Sequence, residues 1–293
     1  MNRSASACTV VLLLAISCPA FAEDGPDTLA TLKARIERLE ADNAAIKQEL
    51  SELKQQFAAL GKGEGAKRHV GTAAGPTPYP TDPNDWPGKG AIRVFGWMTQ
   101  NRDFFWQQRD KKQHAVVFAG DSLTGNWTDL DKAFPKVNVA NRGIGGDVSR
   151  GLLFRFQEDV LDLHPKAVVI LIGANDLSAK QDPAVTISNI AAILELAEKQ
   201  NPALPIVLCK IPPRDSPVAP IELAQLQDLN ARIGKLAEGK KQVTVLDLFP
   251  LFAKSDGSPD PQYFKPDKLH FAETGYAKWR AALEPIFAKL KVE

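Results

Sequence analysis

Ala115-Val116-Val117-Phe118-Ala119-Gly120-Asp121-Ser122-Leu123-Thr124-Gly125-Asn126-Trp127 is an apolar run of strand length that ends at a glycine and passes into a short polar turn. A strand with one wet face alternates apolar and polar residues, so a run without polar members reads as a strand covered on both faces. Val137 to Ala140, Ala167 to Ile172, Ile206 to Ile211 and Val243 to Leu248 also read as strands. Helical periodicity lies between them, at Arg150 to Leu161, Ala184 to Gln200 and Ile221 to Leu236, with a last stretch from Gly275 to Leu290. This alternation predicts an α/β fold, a three-layer α/β/α sandwich around a five-stranded parallel sheet. In such a sheet of order 2-1-3-4-5, ligands bind at the carboxyl ends of the strands, near the switch between strands 1 and 3.

The turns after the strands are therefore the informative part. The second strand runs into Asn141-Arg142-Gly143-Ile144-Gly145-Gly146-Asp147, the third into Gly173-Ala174-Asn175-Asp176, and the loop before the last helix ends in Asp267-Lys268-Leu269-His270. A serine becomes a nucleophile only with a base in reach, an orienting group behind that base, and donors for the developing oxyanion. Ser122 is the candidate nucleophile and His270 the candidate base. Asp267, three positions before His270, can reach one imidazole nitrogen in a turn while the other faces Ser122. Gly146 can present an unobstructed backbone N–H, and Asn175 can offer its amide. Each residue also has a plainer reading. Ser122 suits a helix N-cap, Asp267 with His270 a cap pair, and Gly143, Gly145 and Gly146 a tight turn or a phosphate loop. The glycine spacing is not the dinucleotide fingerprint.

Taken in order, Gly120-Asp121-Ser122, Gly146, Gly173-x-Asn175-Asp176 and Asp267-x-x-His270 resemble the SGNH (GDSL) hydrolases, over about residues 86 to 293. Gly143-Ile144-Gly145-Gly146-Asp147, Ile211-Pro212-Pro213-Arg214 and Gly275-Tyr276-Ala277-Lys278 bring the resemblance nearest to the esterases similar to the platelet-activating factor acetylhydrolase alpha subunits. The resemblance implies a flavodoxin-like sandwich and ester hydrolysis through an acyl-enzyme. It gives Ser122, His270 and Asp267 as the triad, and the N–H groups of Ser122 and Gly146 with the Asn175 side chain as the oxyanion hole. Asp121, Trp127 and Arg214 are further candidates for the substrate pocket, with packing against the core an equal reading for Trp127 and a solvated loop charge an equal reading for Arg214. The elbow G-x-S-x-G of the alpha/beta-hydrolases is absent. With no H-E-x-x-H and no cysteine pair, no metal or cofactor is expected.

The chain has 293 residues, 44% hydrophobic and 24% charged, which is ordinary globular composition and excludes collagen and wholesale disorder. Thirty-six Lys and Arg against 35 Asp and Glu leave a charge of +1, so no overall field recruits nucleic acid. Three cysteines, two of them within the first eighteen residues, make no disulfide framework. Cys209, in an apolar run, reads as an inert buried thiol.

Residues 1 to 22 carry Arg3, the apolar run Thr9 to Ile16 and Ala20-Phe21-Ala22, the pattern of a secretory signal peptide, too short to span a membrane. Periplasmic or secreted location is expected, with no transmembrane span after cleavage. Cys18 lies in a poor lipobox, because the first position of Ala15-Ile16-Ser17-Cys18 is alanine. Between 27 and 60, Leu29, Leu32, Ile36, Leu39, Ile46, Leu50, Leu53, Phe57 and Leu60 recur at alternating threes and fours, with Asn43 in the remaining slot. This is a coiled-coil heptad, and parallel pairing sets Arg35 against Glu40, Asp42 against Lys47 and Glu49 against Lys54. A homo-oligomer through 27 to 60 is expected. Residues 61 to 90, rich in Gly and Pro, read as a linker whose last part, Asn84 to Gly88, packs on the following domain through Trp86; 91 to 293 is the hydrolase domain.

The leading expectation is an exported serine esterase acting on short-chain acyl esters, O-acetyl groups on carbohydrate above all. A periplasmic O-acyltransferase with the same triad, a lipid acetylhydrolase or lysophospholipase, and a non-catalytic coiled-coil scaffold are the alternatives. His69, His114 and His164 are weaker candidates for chemistry, and Trp97, Phe104, Phe105 and Trp106 read as a core stripe.

Overall fold

The structure is a computed structural model that describes residues 75–292, together with Lys33, Ile36, Glu37, Leu39 and Glu40. Those five are helical and exposed, with Ile36 and Leu39, two residues of the heptad seam, at 56% and 54% exposure. The remainder of the coiled-coil segment, the signal segment and residues 61 to 74 lie outside the described residues. The chain divides into two units, with the boundary between Thr72 and Ala73.

Five strands form one parallel sheet: β1 (Val116–Gly120), β2 (Val139–Gly143), β3 (Ala167–Leu171), β4 (Ile206–Lys210) and β5 (Val243–Asp247), in the order β2-β1-β3-β4-β5. Every residue of β1 and β3 is buried, as runs without polar members require. The helices Ser149–Asp159, Pro183–Gln200, Leu223–Ala237 and Glu273–Leu290 supply the two covering layers. Phe118 of β1 meets Trp127, Phe134, Trp279 and Phe287 in an aromatic cluster on one face. Cys209 lies in the core, where burial pushes its thiol up.

Strand register brings the site together. Gly120 is paired with Gly143 of β2 and with Leu171 of β3, so three strands end level and their turns emerge side by side. Gly143 must be glycine, because a Cβ there would lie 2.2 Å from the Gly125 nitrogen.

Two expectations are corrected. The linker does not run to residue 90, since the described part of it is folded onto the domain from Gly75 onward. Tyr79 and Trp86 stack at 5.5 Å, and the Trp86 indole donates to the Pro80 carbonyl. A proline-rich segment has few N–H groups to form secondary structure, yet its carbonyls still need donors. Arg150 supplies them, donating to the carbonyls of Pro83, Trp86, Pro87 and Gly90 at 2.9–3.3 Å. The stripe Trp97, Phe104, Phe105, Trp106 is not a core stripe either. In the helix Gly96–Gln108 the buried face is Met98, Arg102 and Phe105, while Trp97 and Phe104 are 50% and 56% exposed. Arg102 takes an inward position because Glu158, at 2.6 Å, and Asp159, at 3.3 Å, satisfy its charge.

Candidate active site

Ser122 begins a single helical turn, Ser122–Gly125, directly after β1. Asp121 caps that turn, its carboxylate accepting from the Leu123 N–H at 3.0 Å, and the Tyr276 hydroxyl donates to the Leu123 carbonyl at 2.9 Å. The serine hydroxyl is thereby aimed from a fixed backbone over the carboxyl end of the sheet.

Asp267, Lys268, Leu269 and His270 form a tight turn in which one Asp267 oxygen accepts from the N–H groups of Leu269 and His270 at 3.0 and 2.9 Å. This is the local hydrogen bonding that Asp favours in turns. The other Asp267 oxygen lies 2.7 Å from His270 Nδ1, and His270 Nε2 lies 3.0 Å from Ser122 Oγ. Desolvation raises the Asp267 carboxyl, but the bonds from the His270 backbone and ring and from the Leu269 N–H outweigh it and hold the group below the ordinary carboxylate range. An ionised carboxylate at Nδ1 keeps the proton there, so Nε2 is the acceptor that faces the serine hydroxyl.

Gly146 follows β2 at φ +82°, a conformation that glycine adopts without strain. Asn175, 8% exposed, sits in the turn after β3 and donates one amide hydrogen to the Asp147 carbonyl at 3.0 Å, which leaves the second hydrogen for another acceptor. A buried network fixes both turns. Arg155 pairs with Asp147 at 2.8 Å and donates to the Gly120 carbonyl at 3.1 Å, while Asp176 accepts from the Ser149 N–H and hydroxyl and from Gln181. Neither Arg155 nor Ser149 stood out in the sequence, because charged and hydroxyl residues without a motif read as surface; Asp147 stood in the glycine-rich turn without a role of its own.

Among the pocket candidates, Asp121 and Arg214 border a cleft beside Ser122 that Leu123, Ala174, Ile211, Pro212, Pro213 and Leu269 complete. Burial pushes the Asp121 carboxyl up to about 7 against the opposing pull of the Leu123 N–H and of Arg214. Burial likewise lowers Arg214, partly offset by Asp121. Trp127 is not part of the pocket. It is 2% exposed, packed between Tyr276 and Trp279, because the short turn after Ser122 folds it back onto the aromatic cluster. His114 and His164 have left-handed backbones at the opposite end of the sheet, their rings 6.2 Å apart. His69 lies outside the described residues.

A serine hydroxyl, an imidazole and a carboxylate in hydrogen-bonded series, beside the N–H donors of two adjoining turns, can transfer an acyl group. Comparison with known proteins agrees with that chemistry. The GDSL-like Lipase/Acylhydrolase family matches residues 112–278. The chain is 28% identical over 208 residues to platelet-activating factor acetylhydrolase IB subunit alpha2 of Rattus norvegicus, covering 67% of this chain and 86% of that protein, and to the Homo sapiens protein to the same extent. A GDSL-like lipase structure from Bacteroides thetaiotaomicron superposes with a TM-score of 0.55 at 31% identity, over 61% of this chain and 90% of that one. A protein from Bacteroides fragilis, solved as a candidate acylhydrolase, gives a TM-score of 0.59 at 27% identity, over 67% of this chain and 99% of that one. With more than half its length matched, the chain belongs to the GDSL-like lipase/acylhydrolase family and is an ester hydrolase built on that family's five-stranded parallel sheet.

Proposed function

We propose that the chain is an exported serine esterase that removes short acyl groups, O-acetyl groups on carbohydrate above all, with Ser122 as nucleophile. The observation that carries this reading is the unbroken series Asp267, His270, Ser122, with contacts of 2.7 and 3.0 Å. His270 Nε2 takes the hydroxyl proton as Ser122 Oγ attacks the ester carbonyl. The oxyanion is received by the N–H groups of Ser122 and Gly146 and by the second amide hydrogen of Asn175. The tetrahedral adduct expels the alcohol, which leaves with the proton from His270. Water then repeats the cycle on the acyl-enzyme, giving up its proton to His270, and the acid and free serine are released.

The cleft beside Ser122 supports a short acyl group, because it is narrow, with about 10 Å³ of room, roughly that for one water. The signal pattern at 1 to 22 supports export, and the heptad at 27 to 60 supports assembly of several copies. Relatives named for platelet-activating factor acetylhydrolase favour a second reading, in which the acetyl ester belongs to a lipid.

Initial rates on p-nitrophenyl acetate, butyrate and octanoate test the acyl side. Rates that fall steeply with chain length are expected. Preference for octanoate overturns the short-acyl reading, and no release from any of the three overturns the esterase.

A further inference from the structure

Phe95 and Trp97 flank the start of the helix Gly96–Gln108, with ring centroids 4.5 Å apart and planes 17° from parallel. Both are open to solvent, at 40% and 50% exposure. Neither ring is loose. The Trp97 indole N–H donates to the Gly145 carbonyl at 2.9 Å, and Phe95 lies against Gly146, where a Cβ would come 3.4 Å from its ring. The pair is thus fixed to the turn that carries a proposed oxyanion donor.

Gly145 joins this pair to the nucleophile. A Cβ built on it would lie 3.9 Å from Ser122 Cβ and 4.0 Å from Trp97 Nε1. The serine and the indole therefore border one space, open because the residue between them has no side chain. Sheet order adds direction. Gly145, Phe95 and Trp97 are on the β2 side of Ser122, whereas Ile211, Pro212, Pro213 and Arg214 follow β4 and narrow the other side to about 10 Å³. An ester held at Ser122 has an acyl arm and an alcohol arm. The narrow side favours the small one, which directs the alcohol arm across Gly145 toward Trp97.

The geometry points to Phe95 and Trp97 as a stacking platform for a pyranose ring in the alcohol part of the substrate. A sugar ring presents a face of C–H groups to the electron-rich face of an aromatic ring and keeps its oxygens in water. A ring pair anchored at one edge and half exposed suits that demand. An alkyl chain gains most from enclosure, which this pair does not provide. The inference deepens the esterase reading and rests on Ser122 as its nucleophile.

The test compares kcat/KM for an acetylated glucopyranose with kcat/KM for ethyl acetate, which has no ring, in the wild type and in Trp97→Ala, Trp97→Phe and Gly145→Val. The sugar-to-ethyl-acetate ratio is expected to fall about tenfold in Trp97→Ala, mainly through KM, in the range of aromatic truncations at binding sites. Trp97→Phe should keep most of the ratio, since it keeps a flat ring. Gly145→Val should lower it by obstructing the passage. A ratio unchanged in Trp97→Ala, or equal losses on both esters, overturns the platform. A Trp97→Ala loss that appears on p-nitrophenyl octanoate and not on the acetylated sugar overturns it in favour of an acyl-chain contact. Wild type inactive on both esters, or activity surviving in Ser122→Ala, overturns the esterase reading instead.

Discussion

His270 Nε2 lies 3.0 Å from Ser122 Oγ although 148 positions separate the two residues. Two separate pieces of local geometry meet there. Ser122 is placed by a strand end and an Asp-capped helical turn, and His270 by the turn that Asp267 closes with its own carboxylate. The level ending of β1, β2 and β3 brings the Gly146 and Asn175 turns to the same edge.

Asn175→Ala should lower kcat about 10²- to 10³-fold if its free amide hydrogen meets the oxyanion. The Asp147 carbonyl also loses its bond from Asn175, so unfolding is measured in parallel. Loss of kcat well beyond any loss of stability supports the role, and a loss below about tenfold transfers it to another donor.

Arg155→Ala should destabilise the fold by about 3–5 kcal/mol, because it leaves the Asp147 carboxylate buried without its guanidinium partner and leaves Asp159 with Arg102 as its remaining ion-pair partner. The Gly120 carbonyl, just before the nucleophile turn, loses its donor as well. Denaturant unfolding measures the cost, and a change below about 1 kcal/mol contradicts the buried network.

How much of this was legible in the sequence depends on what holds each part. Val116 to Gly120 and Ala167 to Leu171 are homogeneously apolar because both sheet faces are covered, so strands and fold class were readable. Ser122, Asp267 and His270 were readable as one proposed site because acyl transfer demands those residue types, and the structure sets them in hydrogen-bonded series. In the segment from Gly75 to Ala91 the packing of Asn84 to Gly88 through Trp86 was readable, because an exposed indole is costly; the rest was not, since what holds it is Arg150 more than sixty positions downstream meeting its carbonyls. Arg102 and Arg155 gave no signal for the opposite reason: hydropathy places a guanidinium outside, and only its partners permit burial. Trp97, read as core, is half exposed, and Trp127, for which pocket lining and core packing were both open readings, lies in the core.

Asp121→Asn should change how stability depends on pH. Burial raises the carboxyl from its ordinary 3.8 to about 7, so the fold favours the protonated form. Its contribution is complete below the unfolded value and is lost as pH rises through about 7. Asparagine stays neutral and keeps a capping oxygen. The stability of the variant relative to wild type should therefore improve between about pH 4 and 7. A difference constant across that range contradicts a raised Asp121.

Assembly is tested by shortening the chain to begin at Gly75, which keeps the segment bound by Arg150 and removes the heptad. Light scattering should show the shortened protein as a smaller species than the full chain. The same oligomeric state in both contradicts pairing through residues 27 to 60.

The most direct measurement is p-nitrophenyl acetate hydrolysis by the full-length protein and by Ser122→Ala side by side, with circular dichroism to confirm that both are folded. Turnover is expected in the wild type, and its abolition in the folded variant. Turnover that persists in Ser122→Ala would contradict the assignment of Ser122 as the nucleophile.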